Sequence, residues 1–146
     1  MSNQPKQTSL SRKIQIISKL EALKELRKKL RLLFSSWSID TSISEEIILA
    51  IEEVCSNAIK HGHNSIKTKK IDITLILKDN NLNIIVDNIG SMPKEINKHL
   101  NTTLEELVEA RKKGGFGLKL IYSIMNNVKY ITKDGQHSCY LSKKLR

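Results

Sequence analysis

The sequence predicts an α+β domain, a two-layer α/β sandwich whose mixed, mostly antiparallel sheet carries its helices on one face. Two kinds of apolar spacing lead there. Five short stretches alternate apolar with mostly polar residues, as half-buried strands do, and three longer ones repeat apolar residues at helical period. Their order is strand, helix, helix, hairpin, polar insert, glycine turn, helix, hairpin, which suits an antiparallel sheet better than repeated βαβ units.

Arg12 to Ile17 reads as the first strand, and residues 1–11 as a flexible N-terminus ahead of one domain spanning 12–146. Ser18 to about Ser35 follows as an amphipathic helix, with Leu20, Leu23, Leu26, Leu30 and Leu33 on one side and cations on the other. Ser42 and Glu45 stand at capping-box spacing and open a second helix. There Ile43, Ile47, Ile51, Val54 and Ala58 form one buried face, and Gly62 stops the helix after His61. Ile71, Ile73, Leu75 and Leu77 pair as a hairpin with Leu82, Ile84 and Val86 through Asp79-Asn80-Asn81. From Lys94 to Lys113 the chain holds two short polar helical pieces and then a glycine cluster. Leu118 to about Asn126 is the third long helix, and Val128 to Thr132 joins Ser138 to Ser142 through Asp134-Gly135.

A chain of 146 residues with 39% hydrophobic and 27% charged residues suits one water-soluble domain. It has no apolar run near the ~20 residues that span a bilayer and no secretory apolar block, so a cytoplasmic protein without a membrane partner is expected. Cys55 and Cys139 lack zinc-site clustering and read as small buried hydrophobes. The net charge of +10 is concentrated toward the start, where Met1 to Arg31 holds nine Lys or Arg against Glu21 and Glu25, a net +7. Such a surface attracts anions of many kinds. An acidic protein partner is expected; direct nucleic-acid binding is not, because stacking aromatics and zinc-finger spacing are absent.

Three stretches carry chemistry. In Glu52 to Gly62, EEVCSNAIKHG, residues four apart share a helix face, so Glu53 and Asn57 project together with Lys60 nearby, while Ile51, Val54, Cys55 and Ala58 turn to the core. A carboxamide oxygen suits Mg²⁺ and a carboxylate can take a proton from a hydroxyl. His61, on the same helix, reads as structural. In Ile84 to Gly90, IIVDNIG, Asp87 ends an apolar strand at a turn; it either accepts a hydrogen bond from a ligand such as an adenine amino group or bonds to its own backbone. In Gly114 to Ile121, GGFGLKLI, glycines precede a helix whose free N–H groups can hold phosphate oxygens. The stretch is neither a Walker A loop nor a Rossmann fingerprint.

The succession E-x-x-x-N-A-x-x-H-G, a strand ending in D-x-x-G, a polar insert and G-G-x-G-L resembles the N, G1 and G2 boxes of the GHKL (Bergerat-fold) ATPase superfamily, over roughly residues 12 to 145. Within it the chain is most similar to the anti-sigma-factor serine-protein kinases. The resemblance implies ATP and Mg²⁺ as cofactors, Glu53 as general base, Asn57 as the Mg²⁺ ligand, and Asp87 with Gly90 at the adenine. It implies Gly115, Gly117 and Leu118 at the phosphates, Lys113 as a phosphate partner or a solvated lysine, and an ATP lid over approximately 91–113. As partners it implies a sigma factor, an anti-sigma-factor antagonist phosphorylated on serine, and a second copy in a homodimer, for which Ser18 to Ser35 offers a contact. One position departs from the usual D-x-G: Ile89 takes the glycine place and Gly90 follows, so either a side chain crowds the adenine edge or the turn is shifted by one residue. A non-catalytic, nucleotide-dependent binding module is the rival reading; a detached histidine-kinase catalytic domain is disfavoured because no phosphoacceptor helical hairpin precedes the boxes.

Overall fold

The computed structural model describes residues 9–62, 69–90 and 116–145, and structural statements below concern those residues. The strands are β1 (Leu10–Ile17), β2 (Lys70–Lys78), β3 (Asn81–Asp87), β4 (Asn127–Lys133) and β5 (Gln136–Lys144). The helices are α1 (Ala22–Ser36), α2 (Thr41–Asn57), which continues as a π-helical turn over Ala58–Gly62, and α3 (Phe116–Ile124). The order across the sheet is β1-β2-β3-β5-β4. Every described pairing is antiparallel, so the mixed pairing expected from sequence does not occur among these strands.

Alternation decides which side of the sheet is core. Ile14, Ile73, Val86, Cys139 and Tyr130 are successive cross-strand partners on one face. With Ile71, Leu75, Leu82, Ile84 and Leu141 they meet Leu26, Leu30, Phe34, Ile47, Ile51, Val54 and Ile121 of the helices in a single apolar cluster. Full burial of each such aliphatic side chain contributes about 1.5–3 kcal/mol. The neighbouring row, Gln15, Asp72, Asp87 and Ser138, lies by the same period on the opposite face.

Turn chemistry fixes the register. Asp79 (φ 52) and Asn80 (φ 62) form one two-residue hairpin loop, and Asp134 (φ 53) and Gly135 (φ 78) the other. Left-handed values at both loop positions match the twist of the strands they join.

The helix starts depart from expectation. Ser18 to Glu21 forms a turn, and α1 begins only at Ala22. The N-cap of α2 is Asp40, not Ser42: its carboxylate accepts from the backbone N–H of Ser42 at 3.0 Å and of Ile43 at 3.3 Å. The Ser42 hydroxyl, already inside the first turn, donates to the same oxygen at 2.6 Å. These donors, the hydroxyl first, hold the Asp40 carboxyl below the usual carboxylate range. β1 begins at Leu10, two residues earlier than the alternation alone suggested, and pairs with Leu77 there.

Candidate functional site

α2 distributes its side chains over three surfaces. Ile47, Ala50, Ile51, Val54 and Cys55 enter the core. Glu52 faces α1, where Arg27 Nε donates to Oε1 at 2.5 Å and Nη2 to Oε2 at 2.8 Å. Glu45, two turns earlier, is gripped in the same way by Arg31, at 2.8 and 3.1 Å. Both pairs are two-pronged, the geometry in which a guanidinium fits a carboxylate best.

Glu53 and Asn57 occupy the third surface, half-buried and one helical turn apart, with Lys60 exposed beyond them. Glu53 forms no salt bridge among the described residues. Burial pushes its carboxyl above the usual range; the charge of Lys60 pulls the other way, and that of Glu52 adds to the rise. A carboxylate so placed is a better proton acceptor than a solvated one. The helix changes from α to π immediately after Asn57, a deformation that often marks functional helices. His61, expected to be structural, is exposed and lies outside the core, whereas Gly62 ends the helical turn as anticipated.

Asp87 closes β3. Its Oδ1 accepts from Ser138 Oγ at 2.5 Å, and Asp72 is its cross-strand partner on β2. By strand period its side chain leaves the sheet on the face opposite Val86, so β3 does not place it on the same side as α2. Asn88 then takes φ 63, and Ile89 N–H donates to the His137 carbonyl at 3.2 Å. Because Asp87 already stands opposite Ser138, Asn88 and Ile89 together face His137, which is a β-bulge. The extra residue reverses the alternation, and Ile89 turns into the core with 2% exposure. Positive φ falls at Asn88 and at Gly90 (φ 83). Of the two readings of Ile89, the conformation accords with a turn displaced by one residue: glycine's freedom is used at 90, and the isoleucine is ordinary core.

Asp72 pairs with Asp87 near the start of β2 and the end of β3. α3 packs against α2. Its C-terminal end is anchored at the other end of the sheet, where Lys143 Nζ donates to the Ile124 carbonyl at 2.7 Å and Asn126 N–H to the Ser142 carbonyl at 2.9 Å. Gly117 and Leu118 lie in the first turn of α3, at the end of the helix opposite that anchor. Lys113, Gly115 and the expected lid lie outside the described residues.

Sequence reasoning missed Glu52, Arg27, Asp72 and Ser138. The adjacent Glu52 and Glu53 are equivalent as letters; only Arg27, seen across a helix pair, separates them. The two cysteines are free and buried, as expected. Burial pushes the Cys139 thiol up to about 12 and the Cys55 thiol higher still, so neither is poised as a nucleophile. No cluster of metal-ligating His, Cys, Asp or Glu occurs among the described residues, and no helix among them is long and apolar enough to cross a membrane.

Residues 16–143 match the family model for the histidine kinase-like ATPase domain, and the chain belongs to that family. It is 30% identical over 89 residues to the serine-protein kinase RsbW of Oceanobacillus iheyensis, covering 58% of this chain and 56% of that protein. It is 27% identical over 88 residues to the serine-protein kinase RsbW of Bacillus licheniformis, covering 58% and 55%. The matches thus span little more than half the length of these relatives. Among solved structures, the fold is shared with the RsbU and RsbW domains of Rv1364c from Mycobacterium tuberculosis, at TM-score 0.65 and 18% identity over 93% of this chain and 32% of that one. It is shared also with the SiaB-SiaC complex from Pseudomonas aeruginosa, at TM-score 0.60 and 12% identity over 90% of this chain and 88% of that one.

Proposed function

We propose that the protein is an anti-sigma factor with serine-protein kinase activity, which binds Mg-ATP, phosphorylates a serine of an anti-sigma-factor antagonist and separately sequesters a sigma factor. The observation that carries the reading is Glu53: a half-buried carboxylate with a raised pKa and no salt bridge among the described residues, one turn from Asn57 in a histidine kinase-like ATPase domain. The similarity of the chain to two serine-protein kinases supports the reaction class.

The donor set suits the cofactors. A carboxamide oxygen beside a carboxylate offers Mg²⁺ hard ligands without a closed all-protein cage, which leaves room for phosphate oxygens and waters. When bound, Mg-ATP supplies the phosphoryl group and the charge neutralisation that its transfer needs. Asn57 would hold the metal through Oδ1. Glu53 would orient the substrate seryl hydroxyl and accept its proton as the oxygen–phosphorus bond forms. Lys113, Gly115, Gly117 and Leu118 would receive the phosphates, and residues 91–113 would close over them as a lid. Asp87, kept by Ser138 in an acceptor role, would take the adenine amino group with Gly90 beside it. The protein would work in the cytoplasm, as a homodimer.

One finding favours a second reading, a nucleotide-dependent binding module without catalysis: Asp87 leaves β3 on the face away from α2. Incubation with γ-labelled ATP and the antagonist separates them. Transfer of label, lost in Glu53→Gln, supports the kinase; nucleotide binding without transfer supports the module. Titration with and without Mg²⁺, repeated on Asn57→Ala, tests the metal, and equal results in both proteins would remove Asn57 from the site.

A further inference from the structure

On the sheet face opposite the helical layer, Asp72 is held from two sides. Gln15 Nε2 of β1 donates to its Oδ1 at 2.7 Å, and Asn88 Nδ2 donates to its Oδ2 at 3.0 Å. Its cross-strand partner on β3 is a second carboxylate, Asp87. Two like charges directly opposite one another are unfavourable in a sheet, so a packing role alone would not select this pair. Each acid has instead its own donors, Gln15 and Asn88 for Asp72 and Ser138 for Asp87.

What Asp72 grips is the left-handed residue of the bulge. Asn tolerates positive φ better than most residues but does not prefer it, so a side-chain bond that fixes the carboxamide also fixes the backbone. With Asn88 held, Ile89 N–H reaches His137, the isoleucine enters the core and Gly90 begins the segment that follows. We propose that Asp72 is a positioning residue: by clamping Asn88 it sets the turn from Asp87 to Gly90 and thereby the nucleotide affinity of a site it does not touch. This rests on the proposed function for the ligand, but the clamp itself does not.

Two measurements on the full chain test it. Amide hydrogen exchange in the absence of nucleotide reads the clamp: Asp72→Asn and Asp72→Ala should each expose the Ile89 N–H at least tenfold more than wild type while the amides of Ile73 and Ile84 stay protected. Calorimetric titration with ATP and ADP reads the consequence, with both nucleotides weakened about tenfold or more, or about 1.4 kcal/mol. Phosphate transfer at saturating ATP should stay within about twofold, a KM change without a kcat change. Asn88→Ala should weaken binding similarly, and the double variant Asp72→Ala with Asn88→Ala should be no weaker than either single one. Should Asp72→Ala fail to fold, Asp72→Asn and Gln15→Ala carry the test, the latter expected to weaken binding less and in the same direction. Unchanged Ile89 exchange, wild-type affinity in Asp72→Asn, or additive losses in the double variant overturns the clamp. A wild-type chain that binds no adenine nucleotide sinks the proposed function, and the exchange measurement still decides whether Asp72 holds the turn.

Discussion

Glu52 and Glu53 are neighbours in sequence and belong to different parts of the molecule. Glu52 lies in the seam between α1 and α2, its side chain 10% exposed and saturated by Arg27. Glu53 lies on the site face, half-buried and without a salt bridge among the described residues. The seam spends its charge on holding two helices together, while the site face keeps a carboxylate under a desolvation cost that no described guanidinium relieves. A helix can therefore separate stability from chemistry by a rotation of about 100° per residue.

The sharpest way to break the comparison is at Glu53. On the proposed kinase reading, Glu53→Gln keeps the shape and removes the base, and transfer to the antagonist should fall by about 10²–10⁴-fold, with nucleotide affinity largely retained. A steady-state assay with labelled ATP checks it; a rate within threefold of wild type would return Glu53 to the surface residues.

Next in size is the seam. Arg27→Ala leaves Glu52 nearly buried without its partner, and the loss should be about 1–3 kcal/mol, discounted for the 46% exposure of the arginine. Urea melts give the number. Nucleotide affinity measured well below the midpoint should not move, which would confirm that seam and site are separable.

The site face should also respond to pH. The folded carboxyl of Glu53 binds its proton more tightly than the unfolded one, so its ionisation opposes folding: the cost is absent below the unfolded value, grows as pH rises through the folded value and is complete above it. Glu53→Gln should accordingly melt at the same temperature as wild type or higher near pH 7, with the advantage disappearing toward pH 4. A lower melting temperature at pH 7 would mean that an undescribed partner satisfies the charge.

The smallest effect belongs to Arg31→Ala. Its pair with Glu45 is open to solvent on both sides, at 53% and 43% exposure, and its removal should move the urea midpoint far less than Arg27→Ala does. Measured beside Arg27→Ala, it calibrates how much of the seam's contribution comes from burial.

Much of this fold could be read from letters because its strands are half-buried. Ile71, Ile73 and Leu75 alternate cleanly, and both hairpin loops carry residues that accept positive φ. The face of α2 bearing Glu53 and Asn57 was legible for the same reason, a fixed helical period. Three things were not. Ser42 and Glu45 imitate a capping box, but Asp40, just ahead of the helix, has the geometry to receive both N–H groups. Pairing of Glu45 and Glu52 with arginines on α1 depends on how two helices cross, which no local spacing encodes. The bulge at Asn88 depends on a partner strand about fifty residues away, so the inward turn of Ile89 has no local signature.

β5 comes last in chain order among the described strands and yet lies inside the sheet, between β3 and β4. A ribosome-bound chain that has not yet made Gln136–Lys144 has β3 with one naked edge, no Ser138 for Asp87 and no His137 carbonyl for Ile89. Assembly of the sheet must wait for long-range pairing, which is slow and leaves an adhesive edge open in the meantime. The nascent protein should therefore need shielding until that strand is inserted.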